Sequence, residues 1–141
     1  MMQVLFDTNV VLDALLKRPP WEADAAACWK ASDEGRIMGC LTASTLTDIF
    51  YISRKLKGID IARDAVRICL DAFAMCVVDR QALELAIDLP ADDFEDNLQI
   101  VCAELAGLDA IVTRDKEGFQ GSTITVLTPA ELLTQLSSTK E

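Results

Sequence analysis

The sequence predicts a three-layer α/β/α sandwich built on a mostly parallel five-stranded sheet. Short, unbroken apolar runs alternate with longer segments in which apolar residues recur at helical spacing. Glycine or proline stands at most of the boundaries between them. Because a strand, a helix and the next strand connect by a right-handed crossover, this alternation places helices on both faces of a parallel sheet.

The predicted strands are apolar runs of four or five residues that lack a helical period and stop at polar or turn residues. Such runs are typical of parallel strands buried on both faces. In chain order they cover residues 3–6, 37–41, 75–78, 110–113 and 124–127.

The predicted helices carry apolar residues three or four positions apart. Their ranges are 9–16, 22–34, about 44–56, 60–73, 80–89, the segment from the acidic run 92–96 to residue 107, and a last helix opening at 128–129. Thr42 or Ser44 can cap the third helix and Asp60 the fourth. Gly35 and Gly58 end the second and third, and Pro129 fits the first turn of the last.

Composition excludes several function classes. The formal net charge of −10 argues against a broad basic face that grips duplex DNA. The absence of histidine removes Cys/His zinc sites and mechanisms with a histidine base. Five scattered cysteines without a C-x-x-C spacing predict reduced core residues, and no apolar run is long enough to cross a membrane. We therefore expect one cytoplasmic domain over residues 1–141.

Four aspartates from distant parts of the chain are expected to meet. Asp7 ends the first strand and Asp115 follows the fourth, so both lie at the carboxyl edge, where open parallel sheets carry their sites. Asp48 lies early in the helix after the second strand, and Asp96 lies in the first turn of the helix before the fourth. Right-handed crossovers bring both towards the same edge.

Such a cluster predicts a cation. Two carboxylates about 4 Å apart repel by about 4 kcal/mol at an effective dielectric near 20. Oxygen ligands without histidine or cysteine select hard ions, and Mg²⁺ or Mn²⁺ suits phosphate chemistry. A bound ion of this kind can supply hydroxide and stabilise charge on phosphorus.

Four segments resemble, in order, the four motifs of PIN domains. They are FDTNVVLD at 6–13, TASTLTDI at 42–49, DFEDNLQ at 93–99 and IVTRD at 111–115. The resemblance implies a magnesium-dependent ribonuclease, with Asn9 and Thr113 as polar supports. It assigns the metal carboxylates to Asp7, Asp48, Asp96 and Asp115. The family commonly has glutamate where this chain has Asp48, whose shorter side chain would reach the metal through water.

The resemblance also implies a homodimer and the toxin role of small PIN proteins, which pair with an antitoxin protein. The acidic surface favours a single-stranded or looped RNA as substrate. Arg54, Lys55 and Lys57 could contact its backbone, or they could simply be a solvated helix end. We expect Asp13 to be solvated on its helix.

Other interpretations stay open on the sequence. Asp7 and Asp115 could be turn residues, and Asp96 could serve a capping box with Asp93 as the N-cap. A non-catalytic PIN-like module that binds protein or RNA is the main alternative function. A haloacid dehalogenase-type phosphatase also places an aspartate after strand 1, but Asn9 stands where that class needs a second acid.

Overall fold

The computed structural model describes residues 1–138, whose strands form a single parallel sheet. The strands are β1 (Met2–Phe6), β2 (Ile37–Thr42), β3 (Ala74–Cys76), β4 (Ala110–Val112) and β5 (Thr125–Leu127). Their spatial order is β3-β2-β1-β4-β5. The predicted fold class is confirmed, and every predicted strand is present with no end displaced by more than two residues.

Seven α-helices within residues 1–138 cover the sheet. They are α1 (Thr8–Leu15), α2 (Glu22–Asp33), α3 (Ala43–Lys57), α4 (Ile59–Ala72), α5 (Arg80–Ile87), α6 (Phe94–Leu105) and α7 (Pro129–Ser138). A 3₁₀ turn at Lys116–Phe119 was not predicted from the sequence. Asp60 as the cap of α4 is wrong: Gly58, with φ of 96°, ends α3 and begins α4, so Asp60 lies in the first turn.

Alternate residues of the strands pack into two apolar cores on opposite faces of the sheet. Val4 and Phe6 of β1 face α1–α4 and α7, whereas Leu5 faces α5 and α6. Gly39 on β2 allows the first face to close, because a Cβ there would lie 2.8 Å from Phe6, Phe73 and Ser32. Burial on both faces explains why the strands appear in the sequence as continuous apolar runs.

The order of the strands creates a crevice at the middle of the sheet. The chain moves from β1 outward through β2 to β3 and then returns to β4 on the other side of β1. The carboxyl ends of β1 and β4 therefore border a topological switch point, where α/β proteins bind their ligands. Within residues 1–138, no helix combines the length and apolar character required to span a bilayer.

Candidate metal centre

A polar cavity of about 350 Å³ opens at the carboxyl ends of β1 and β4. We call it the acidic pocket, and the acids around it are Asp7, Asp48, Asp93, Glu95, Asp96 and Asp115. The structure thus brings together all four aspartates singled out in the sequence and adds two more acids. No lysine or arginine of residues 1–138 lines the pocket.

Asp7 lies at the floor of the acidic pocket, just beyond β1, and is 6% exposed. The Thr113 hydroxyl donates a hydrogen bond to its Oδ2 at 2.8 Å, and the Gln99 side-chain amide donates one to its Oδ1 at 3.0 Å. Thr113 Oγ1 also accepts the backbone N–H of Asp115 at 3.0 Å. One hydroxyl therefore links the ends of β1 and β4, as a polar support at this position would.

Asp96 and Asp115 approach the same point from α6 and from the turn after β4. A Cβ at Gly118 would lie 2.6 Å from Asp96 Oδ2 and 3.4 Å from Asp115 Oδ2. Only glycine leaves this space open for the two carboxylates. Asp93 is the N-cap of α6, and its carboxylate accepts the Asp96 backbone N–H at 3.0 Å. This cap uses the backbone of Asp96, whose side chain lines the pocket.

Glu95 is an acid of the pocket that sequence reasoning missed, although it lies within the third motif. Glu95 and Asp48 both line the pocket, and Thr8 Oγ1 donates to Glu95 Oε2 at 3.5 Å. Its position immediately before Asp96 in an acidic run was the available signal. Glu95 on α6 and Asp48 on α3 therefore both contribute carboxyl groups to the pocket.

Burial and mutual repulsion disfavour the charged forms of these acids. Burial raises the pKa of Glu95 to about 8, with contact and charge from Asp48 adding to it. Burial and then the charges of Asp7, Asp93 and Asp115 raise the pKa of Asp96 to about 7. Burial also raises the pKa of Asp7, despite hydrogen bonds from Thr113 and Gln99. A cation in the pocket would relieve all three effects.

The donor set fits a hard divalent ion. Every charged group around the pocket is a carboxylate, which Mg²⁺ and Mn²⁺ prefer. Gln99 Oε1 is buried beside the site without a hydrogen-bond partner in residues 1–138. Among those residues no three potential ligands are already grouped at metal-binding spacing. This arrangement suits an ion held by a few carboxylates and several waters.

Asn9 and the basic group of α3, two further candidates from the sequence, have different surroundings. Asn9 borders the pocket, but its side-chain oxygen accepts a hydrogen bond from Arg18 Nη2 at 3.1 Å. The basic group, which does not line the pocket, lies in the exposed last turn of α3 and comprises Arg54, Lys55 and Lys57.

The expectation that Asp13 is solvated is wrong, because its side chain is 1% exposed. It lies three residues after buried Val10 and therefore on the inward face of α1. Arg18 Nε and Arg114 Nε donate to its two oxygens at 2.9 and 2.8 Å. These ion pairs compensate the burial of the charge.

A larger cleft of about 450 Å³ lies away from these acids, between β3, α5 and α6. Its walls are mostly apolar and include Cys40, Cys76 and Cys102. All five cysteines are unpaired and buried. None of the predicted site residues lines this cleft, so its volume alone does not make it the functional site.

Comparison with known proteins gives a family match and a common fold. The PIN domain family matches residues 3–117, whereas no curated protein matches the chain. The structure is similar to VapBC2 from Rickettsia felis bound to promoter DNA, with 13% identity, a TM-score of 0.70, and coverage of 90% of this chain and 98% of that one.

Two further solved structures have the same fold. One is the sarcin-ricin loop cleaving toxin VapC20 of Mycobacterium tuberculosis, with 14% identity, a TM-score of 0.67, and coverage of 82% of this chain and 92% of that chain. The other is a toxin-antitoxin complex from Klebsiella pneumoniae, with 20% identity, a TM-score of 0.65, and coverage of 89% and 97% respectively.

Proposed function

Because the chain belongs to the PIN domain family, we propose that it is a metal-dependent endoribonuclease that hydrolyses RNA phosphodiester bonds with Mg²⁺ or Mn²⁺. One observation carries the proposal: six acids line a single pocket without a basic side chain from residues 1–138. A stable fold has no need of such repulsion. A site for a divalent ion and a phosphate explains it.

In this proposal Asp7, Asp96 and Asp115 hold the ion directly, and Asp48 contributes through water or through its contact with Glu95. When bound, the ion supplies a nucleophilic water at neutral pH and stabilises negative charge on phosphate. Thr113 and Gln99 fix both oxygens of Asp7. Burial and the neighbouring Asp48 raise the pKa of Glu95 to about 8, so a cation in the pocket would favour the charged form of this acid.

The substrate and partners follow from the same assignment. Two structural neighbours, a sarcin-ricin loop cleaving toxin and a toxin-antitoxin complex, support a toxin role with an antitoxin protein as partner. We propose single-stranded or looped RNA as substrate, in the cytoplasm, where unpaired cysteines stay reduced. Exposed apolar residues on α3 and α4, Tyr51, Ile61 and Ile68, are candidates for a homodimer surface.

We further propose that residues 1–141 form one PIN-like domain, although residues 139–141 lie outside the described part of the chain. The alternative of a non-catalytic PIN module rests on Asp48, since it stands where glutamate is usual in the family. The phosphatase alternative is dropped. The chain belongs to another family, and the Asn9 amide cannot act as a general acid.

The test is thermal unfolding with and without millimolar Mn²⁺, followed by RNA cleavage on the same samples. The variants are the wild type and the double variant Asp7→Asn/Asp96→Asn. A matched control, Asp60→Asn/Asp64→Asn, removes the same charge from the exposed face of α4. At a hundred times Kd, an ion that binds only the folded state stabilises it by about 2.7 kcal/mol, or about 5–10 °C.

We expect the shift and the cleavage in the wild type and the control, and neither in the pocket variant. A wild type indifferent to Mn²⁺ would overturn the metal site. Binding of RNA by such a protein would then favour the non-catalytic module.

A further inference from the structure

A second charged group lies directly beside the acidic pocket. We call it the arginine cluster, and it consists of Asp13, Arg18, Arg114 and Trp21. Buried Asp13 accepts the Nε–H of both arginines. With two guanidinium groups on one carboxylate, the cluster carries an excess positive charge in a chain of net charge −10.

The two arginines keep part of their binding capacity. Their side chains are 30% and 26% exposed for Arg18 and Arg114. Arg18 also donates from Nη2 to Asn9, whereas the Nη atoms of Arg114 meet no hydrogen-bond acceptor among residues 1–138. Guanidinium Nη groups with this freedom bind phosphate oxygens in pairs.

Trp21 adds an aromatic surface to this charge. Arg114 Cζ lies 3.7 Å from the centroid of its ring, which fixes the arginine against the indole. Trp21 nevertheless remains 42% exposed. Proteins that hold single-stranded nucleic acid combine such features, with aromatic rings for the bases and cations for the backbone.

The connection to the acidic pocket is short on both sides. Arg114 immediately precedes Asp115, and Arg18 donates to Asn9, which lines the pocket. A phosphate at the metal site would therefore have its neighbour in the strand within reach of the arginines. The acids of the pocket repel that backbone, so attraction has to come from residues beside it.

We propose that the arginine cluster is a subsite for single-stranded RNA: Arg114 and Arg18 bind the phosphate next to the scissile one, and Trp21 stacks on the adjoining base. This inference rests on the proposed nuclease function for its location on the substrate. RNA binding at the cluster does not itself require metal, so the two proposals can fail separately.

The experiment uses tryptophan fluorescence in the presence of EDTA. In a Trp29→Phe background Trp21 is the remaining tryptophan, and the probe is an eight-nucleotide oligouridylate. We expect the RNA to quench Trp21 emission. Arg114→Ala should weaken binding by about tenfold and lower the salt dependence by roughly 0.7, the slope of one phosphate contact on a single strand. Arg114→Lys should lose less, since it keeps the charge.

Two controls separate binding from a merely structural role. Arg80→Ala removes an exposed arginine from α5, where it pairs with Glu84, and should leave RNA affinity unchanged. Trp21→Ala, measured by anisotropy of a labelled oligouridylate, should weaken binding by about tenfold without loss of folding. In cleavage assays the cluster variants should raise KM more than they lower kcat.

Two results would overturn the subsite. The first is an oligouridylate that does not quench Trp21 and that binds folded Arg114→Ala and Trp21→Ala as tightly as it binds the wild type. The second is an Arg114 effect confined to kcat with an unchanged salt slope, which would make the arginine only a support for the Asp115 turn. A failure of the nuclease proposal would instead be seen as a wild-type melting temperature that Mn²⁺ does not raise.

Discussion

The acidic pocket and the arginine cluster adjoin each other, yet their carboxylates have opposite electrostatic surroundings. Asp13 is 1% exposed, but two arginines neutralise it at 2.8–2.9 Å. The acids of the pocket are on average less buried, and no cation from residues 1–138 lines their cavity. Burial by itself therefore does not identify a functional carboxylate. The acids of the pocket differ from Asp13 in that no basic side chain of residues 1–138 compensates them, and such repulsion favours the binding of an external cation.

The largest effect on stability is expected at Asp13, the buried carboxylate of the arginine cluster. Asp13→Ala leaves two partly buried guanidinium groups without a counter-charge and should lower the free energy of unfolding by about 2–3 kcal/mol. Urea denaturation measures it. The control is Asp64→Ala, which breaks an exposed pair with Arg67 and should change stability by less than about 0.5 kcal/mol. Equal small losses would mean that the two arginines do not depend on Asp13.

The supports of the pocket come next. Gln99→Leu removes the amide that donates to Asp7 Oδ1 and should lower Mn²⁺ affinity about 10- to 100-fold, the usual cost of losing a residue that orients a metal ligand. Titration of Mn²⁺ against the melting temperature measures this change. Gln81→Leu, at an exposed position on α5, is the matched control. Unchanged affinity would show that Asp7 needs no orientation by Gln99.

The sign of a pH effect sharpens the comparison. The pKa of Asp96 is about 7 in the folded protein, against 3.8 for a free side chain. Between these values the folded state keeps a proton that the unfolded chain has lost, so stability without metal falls as the pH rises. Asp96→Asn should therefore stabilise the metal-free protein at pH 8 by about 1–2 kcal/mol and have little effect below pH 4.

Chemical denaturation in EDTA at pH 4 and pH 8 tests this prediction. The control for general charge removal is Asp60→Asn, at an exposed position in the first turn of α4. A pocket variant less stable than the wild type at pH 8 would contradict uncompensated repulsion around Asp96. The charge of Asp96 would then be compensated, as that of Asp13 is in the arginine cluster.

The smallest effect concerns the space between Asp96 and Asp115. Gly118→Ala places a Cβ 2.6 Å from Asp96 Oδ2 and should lower Mn²⁺ affinity about three- to tenfold as that carboxylate moves away. Gly121→Ala is a close control, because a Cβ there meets nothing within 4 Å. Equal Mn²⁺ affinities in the two variants would mean that the Asp96 carboxylate adjusts at no cost.

The sequence by itself determined the fold class and the sheet edge at which the four aspartates meet. Apolar runs and helical periodicity are local properties, so they indicated all five strands and the alternation of layers. Asp7 and Asp115 follow strands whose carboxyl ends meet in this topology, which made their juxtaposition predictable. The same reasoning placed Asp48 and Asp96 near them.

The tertiary structure alone decided which side chains complete or neutralise each carboxylate. Gln99 reaches Asp7 across 92 residues of sequence, and Arg114 reaches Asp13 across 101. Gly118 matters only because Asp96 lies against it. No periodicity records such pairings, because they depend on the packing of elements far apart in the chain. The sequence thus indicated where the acids lie, whereas the fold pairs Asp13 with two arginines and lines the pocket with no basic side chain from residues 1–138.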